Sequence, residues 1–404
     1  MILPTHPAFA AEDSIVGALP GDQVAPAVSL GANGGWVVWE DNSIKGHKKG
    51  WGVGARQLDL YGNAVSSNLV VNSLRAGDQA APQVAAMGDG SAVFVWQGAV
   101  KAGAENIYLR TASPAGKLVG TDLIVNTDRK VQKVAPSVAG SSGQAVVVWQ
   151  SFGQDGSMWG VYAQRFSTSP IRRVGTEFQV NQFSTYNQMM PAVAAIPAGG
   201  FVVAWISEQQ RVRLPVLSMS QGVTRSSGQV SVDVYARIFS ADGVPVGDEF
   251  LVNGDNSICA MPSVAVSTNG SFLVSWAGHE PAPGPNGWDI YGRTFSTAGV
   301  ALSDTIKLNS FLPGSQEQPR VATDGSKYLA VWTSKGQDGS REGAYGRFVN
   351  GDGTVSGDEI RLNTTTISSQ KSPTVASSVG GRFLTIWTGF VAGTHFDLFA
   401  NTLP

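Results

Sequence analysis

Three histidines, His47, His279 and His395, stand in segments rich in polar and turn-forming residues. Imidazole is the side chain best suited to move a proton or hold a metal near neutral pH. His279 is followed at once by Glu280 and then, past the stiff run Pro281-Ala282-Pro283-Gly284-Pro285, by Trp288. A base, an acid and an aromatic ring in one loop could act on a polysaccharide by lyase or hydrolase chemistry, so His279 and Glu280 are the catalytic candidates if the chain is an enzyme. No histidine has a ligand spacing such as His-x-x-x-His, which gives no metal site from local sequence. Two Gly-Gln-Asp-Gly-Ser runs, around Asp155 and Asp338, offer one carboxylate each, whereas calcium takes about six to eight oxygens. Tight Asp-Gly turns account for both runs, and calcium is the only cofactor the sequence leaves open. Neither a Ser-His-Asp order, a phosphate loop, a Cys-x-x-Cys pair nor a His-Glu-x-x-His motif is present.

These residues are held by a repeat. A proline recurs at Pro26, Pro82, Pro136, Pro191, Pro262, Pro319 and Pro373, and a tryptophan follows each by 13 or 14 residues, at Trp39, Trp96, Trp149, Trp205, Trp276, Trp332 and Trp387. Asn72, Asn126, Asn181, Asn253, Asn309 and Asn363 close the units, 9 or 10 residues before the next proline. Tryptophan spacings of 57, 53, 56, 71, 56 and 55 fit a four-stranded sheet with its turns. Runs such as Phe201 to Trp205 and Phe272 to Trp276 are short apolar β-formers without helical periodicity. The reading is an all-β, seven-bladed propeller.

Six asparagines for seven prolines is the informative mismatch. The strand missing after Trp387 is expected at the other end, where Ile15 and Val16 precede Pro26 by the right distance, so that the N-terminal strand completes the last blade and removes a free edge. With strands lettered a to d outward, the proline opens strand a and the tryptophan closes strand b. The b-to-c and d-to-a loops then share one face, and all the variation in length falls there. That places Trp51, Trp159 and Trp288, His47, His279 and His395, and Arg211 and Arg213 of the long blade-four loop on one side as candidate ligand contacts. The three tryptophans read as residues outside the repeat, whereas Trp36 and the seven repeat tryptophans read as packing.

Three residues before each proline stand Gln23, Gln79, Lys133, Gln188, Cys259, Gln316 and Gln370, a ring expected at the mouth of the axial channel. An amide that donates and accepts can tie blades together or line a pocket. Arg56, Arg110, Arg237, Arg293 and Arg347 on strand c, with Glu177, Glu249 and Glu359 on strand d, read as cross-strand ion pairs within each blade.

With 28 basic against 30 acidic residues and net charge −2, the chain has no electrostatic footprint for nucleic acid. No run approaches the ~18 apolar residues of a membrane span. The single cysteine, Cys259, excludes an intrachain disulfide. Residues 1–10 end in Ala8-Phe9-Ala10 and read as the remnant of an export signal or a disordered terminus, and residues 11–404 as one propeller domain.

The unit Val-Val-Trp-Gln-Ser, Gln-Asp-Gly-Ser, Val-Tyr-Ala-Gln-Arg-Phe and Gly-Thr-Glu-Phe-Gln-Val-Asn of blade three resembles tandem propeller repeats of large secreted or surface bacterial proteins, adhesin-like and without one assigned activity. That resemblance implies export to the periplasm, the cell surface or the medium. The leading expectation is therefore a non-enzymatic module whose loop-rich face binds a glycan or a surface protein. The alternatives are a polysaccharide-degrading propeller enzyme and a structural subunit of a larger surface assembly.

Overall fold

A computed structural model describes residues 12–17, 19–45, 50–99, 105–141, 143–211, 231–254, 258–279, 287–377, 379–391 and 395–404. Those residues form seven four-stranded antiparallel sheets. Blade three shows the unit: strand a is Lys133–Ser141, b Gln144–Phe152, c Trp159–Thr168 and d Ile171–Gln179. The Val-rich b strands are buried on both faces, which is why they read as continuous apolar runs rather than alternating ones. Seven buried apolar clusters sit one at each blade junction, and each contains the repeat tryptophan of the following blade. The tyrosine that packs near that tryptophan in blades two to six is replaced in blade one by Gly54, where an added Cβ would come within 2.3 Å of the Trp39 ring. No helix among the described residues is long and apolar enough to cross a membrane.

The ring closes as the asparagine count predicts. Asp13–Ser14 is the outer strand of the last blade, with Asp13 opposite Ala400 and Ser14 opposite Phe399, and Ile15 N donates to Leu398 O at 3.0 Å. Sidedness follows from register: in blade one Gln23 pairs with Asp41 and Asp41 with Gly52, so the start of a, the end of b and the start of c lie together.

Strand a carries a bulge at its proline in every blade. The preceding residue (Ala25, Ala81, Ala135, Met190, Met261, Gln318 or Ser372) has a positive φ between 50 and 58°, a conformation that costs a non-glycine residue about 1–3 kcal/mol. The bulge turns that residue's N–H toward the blade before it. There the side chain after the repeat tryptophan receives it: Gln97 Oε1 takes Ala135 N, Gln150 Oε1 takes Met190 N and Glu40 Oε1 takes Ala81 N, each at 2.8 Å.

The expected ion pairs within blades are not formed. Arg56, Arg110, Arg237, Arg293 and Arg347 each reach across a junction and donate to a main-chain carbonyl at the end of the previous blade's outer strand, Ile15, Val71, Val180, Val252 and Leu308, at 2.7–3.2 Å. Glu177, Glu249 and Glu359 likewise accept main-chain N–H groups of the preceding blade, as from Thr127 (2.6 Å), Phe183 (3.0 Å) and Phe311 (3.1 Å). The cause is the open end of each outer strand, whose last peptide groups have no ladder partner on the outside and take charged side chains instead. Glu12 does the same for Thr364 N at 2.8 Å, so the N-terminal segment reproduces both contacts of an outer strand.

Candidate active site on the loop-rich face

The ring of seven residues before the prolines is buried. Gln23, Gln79, Gln188, Gln316 and Gln370 each donate Nε2 to the carbonyl three residues earlier, at 2.9–3.2 Å, and the Trp96 indole N–H donates to Gln79 Oε1 at 3.0 Å. Lys133 replaces the amide with an ammonium that donates to Val131 O at 2.9 Å and lies 3.6 Å from Asp128; its burial pushes the pKa down from the ordinary lysine value. Cys259 is 2% exposed and joins the cluster between blades four and five. None of the seven lines the axial channel.

Trp51, Trp159 and Trp288 are not outside the repeat. Counted back from strand c they share one position with Glu105, Val232, Glu342 and Phe396, one residue before the first strand-c residue that faces the end of strand b in Asp41↔Gly52, Gly98↔Asn106 and Gly278↔Asp289. Their main chain locks the next blade: Gln79 N donates to Trp51 O (2.9 Å) and Gln316 N to Trp288 O (2.7 Å). All three are half-buried; Trp159 lies edge-on to Phe152 at 5.3 Å and Trp288 edge-on to His279 at 5.6 Å.

His279 ends strand b of blade five, and His395 opens strand c of blade seven, two blades away around the ring. No group of three His, Cys, Asp or Glu among the described residues is arranged to hold a metal. Asp155 and Asp338 have a structural role. In blades four and five the closing asparagine donates to a buried aspartate on strand c, Asn253 to Asp233 (2.9 Å) and Asn309 to Asp289 (2.6 Å). Blades three and six have Gly160 and Gly343 there, and the loop aspartates fill the space: a Cβ on Gly160 would lie 2.4 Å from Asp155 Oδ2, and one on Gly343 2.9 Å from Asp338 Oδ2. Arg211 is held by Asp233, Nη2 to Oδ1 at 2.5 Å. His47, Arg213, Glu280 and residues 1–10 lie outside the described residues.

One constellation was missed by the motif search. The position after the repeat tryptophan reads Glu40, Gln97, Gln150, Ile206, Ala277, Thr333 and Thr388, so blade one alone places a carboxyl there. Glu40 is half-buried at the junction of blades one and two, and Oε1 accepts from Ala81 N, a residue of the channel wall. Burial raises its pKa above the ordinary carboxylate value, the Ala81 bond opposes that rise, and the charge of Asp78 adds to it. Asp78 is exposed and accepts from Trp51 N at 2.9 Å. A carboxyl whose pKa is raised by burial, a second carboxyl and the main chain of Trp51 thus lie together on the loop-rich face. The signal in the sequence was the single departure from a neutral repeat position.

No protein-family model matches the chain, and no curated protein matches it. Solved structures do. An ulvan lyase representing a new family of polysaccharide lyase aligns with TM-score 0.55 at 7% identity, over 96% of this chain and 94% of that one. An α-L-arabinanase of Penicillium chrysogenum complexed with arabinobiose gives 0.52 at 10%, over 98% of both chains. A protein of unknown function from Dyadobacter fermentans gives 0.54 at 12%, over 80% and 94%. Likeness at such identities is a likeness of fold. It also corrects the leading expectation, because the propellers with a named activity among these neighbours are polysaccharide-cleaving enzymes and not binding modules. The adhesin-like part of the resemblance finds no support in these comparisons.

Proposed function

We propose that the chain is a propeller enzyme that cleaves a polysaccharide at its loop-rich face, acting outside the cytoplasm. The observation that carries this reading is Glu40, the one carboxyl in an otherwise neutral repeat position, half-buried with its pKa raised by burial and by the nearby Asp78, which is held by Trp51 N. In the proposed mechanism Glu40 donates its proton to the leaving glycosidic oxygen, Asp78 acts as base or nucleophile, and the Trp51 ring carries a sugar face. The activities named for the arabinanase and the ulvan lyase support the choice of substrate class.

The test compares the native chain with Glu40→Gln on a panel of neutral and acidic polysaccharides, reading new reducing ends and new unsaturated ends. Loss of one proton donor should lower kcat/KM about 10²- to 10⁴-fold. An unchanged rate in the variant removes Glu40 from the site. Unsaturated ends in the product would assign elimination in place of hydrolysis.

A further inference from the structure

We propose that the axial channel is a binding site for one small oxyanion, a carboxylate or a sulfate group, held by Arg320. The channel encloses about 690 Å³ and is walled by the strand-a residues of the blades. Its lining contains no Asp, Glu, Lys or His, and Arg320 is the one charged side chain in it. At the same level, directly after the strand-a proline, the other blades place Ala27, Gln83, Ser137, Ala192, Ser263 and Thr374. The guanidinium is therefore flanked by two hydroxyl residues, Ser263 and Thr374 of the adjoining blades, with no carboxylate in reach around the ring.

Arg320 makes one hydrogen bond, Nη1 to Pro319 O at 2.9 Å, and no ion pair among the described residues. A guanidinium has about five N–H donors, so most of the fork faces the cavity. A second donor stands two residues away. Gln318, which also lines the channel, accepts at Oε1 from Thr333 Oγ1 (3.2 Å) and Ser372 Oγ (3.0 Å), so its NH₂ is the part of the amide free to donate. Arg320 is exposed to the solvent of the channel, so an oxyanion reaches the guanidinium without displacing a protein group. An oxyanion on the fork is held by two parallel charge-assisted bonds.

The experiment is calorimetric titration of the native chain with sodium glucuronate and with sodium sulfate, against sodium chloride at matched ionic strength. Saturable binding of either oxyanion, weakened at least tenfold in Arg320→Gln and several-fold in Gln318→Leu, is the expected result. Binding of glucuronate alone identifies a carboxylate site and of sulfate alone a sulfate site. No heat beyond the chloride control, or equal affinity in Arg320→Gln, overturns the proposal. Should Arg320→Gln not fold, Arg320→Lys keeps the charge, loses the fork and must still bind more weakly. The titration is repeated on Glu40→Gln, which should bind as the native chain does, so this site and the catalytic reading succeed or fail separately.

Discussion

Replacing Ile15 and Val16 together by alanine tests the closure of the ring, on which the placement of every loop depends. Ile15 is 6% and Val16 3% exposed, and both pack in one cluster with Val37, Trp39 and Leu58 of blade one and Leu384, Ile386 and Leu398 of blade seven. Truncating a buried isoleucine costs about 2–5 kcal/mol, and the two methyls of valine about 1–2 kcal/mol at ~0.8 kcal/mol per buried carbon. The sum, about 3–7 kcal/mol, is a large part of the ~5–15 kcal/mol that separates a folded domain from its unfolded chain. The main-chain bonds of the segment, Arg56 to Ile15 O and Ile15 N to Leu398 O, survive the substitution, so the loss measured is packing. Urea unfolding followed by tryptophan fluorescence should show a clear drop in midpoint with the slope retained. A change below about 0.5 kcal/mol would mean that the N-terminal strand does not hold the last blade to the first.

Glu40→Gln should be at least as stable as the native chain at pH 7, because Gln97 and Gln150 make the same 2.8 Å bond that Glu40 makes to Ala81 N. The folded pKa of Glu40 is raised, so its favourable contribution belongs to low pH and is lost as pH rises through that value; in urea melts at several pH values the advantage of the variant should shrink as pH falls toward about 4.5 and change no further below it. Lys133→Gln restores the amide found in five blades and should add about 1 kcal/mol at neutral pH. The folded pKa of Lys133 is lowered, so the gain should fade as pH climbs through it toward the ordinary lysine value, checked by thermal melts between neutral and alkaline pH. Gln79→Leu strands the Trp96 indole N–H in the core and should cost about 1–3 kcal/mol by the same unfolding measurement.

The blade count was legible because proline, tryptophan and asparagine each mark a strand boundary that the chain cannot shift without losing register. Closure was legible for the same reason, since an unmatched strand at one end implied a donor at the other. What the sequence could not show was which blade a side chain serves. Arg56 and Glu177 look like partners of nearby strands, yet both reach across a junction, and only the ring brings Ile15 O and Thr127 N within range. Trp51, Trp159 and Trp288 seemed irregular because the loops before them differ in length, and their common position emerges only when strand c fixes the origin. Glu40 was hidden by the reverse effect: it occupies an ordinary repeat position and differs from Gln97 by one atom and a charge.

The most direct measurement of the central claim follows chain length by size-exclusion chromatography while the native protein is incubated with a polysaccharide that it retains on an affinity gel. The account predicts that the bound polymer becomes shorter with time and that Glu40→Gln holds it intact. Retention of the polymer at undiminished length by the native protein would contradict the enzyme reading.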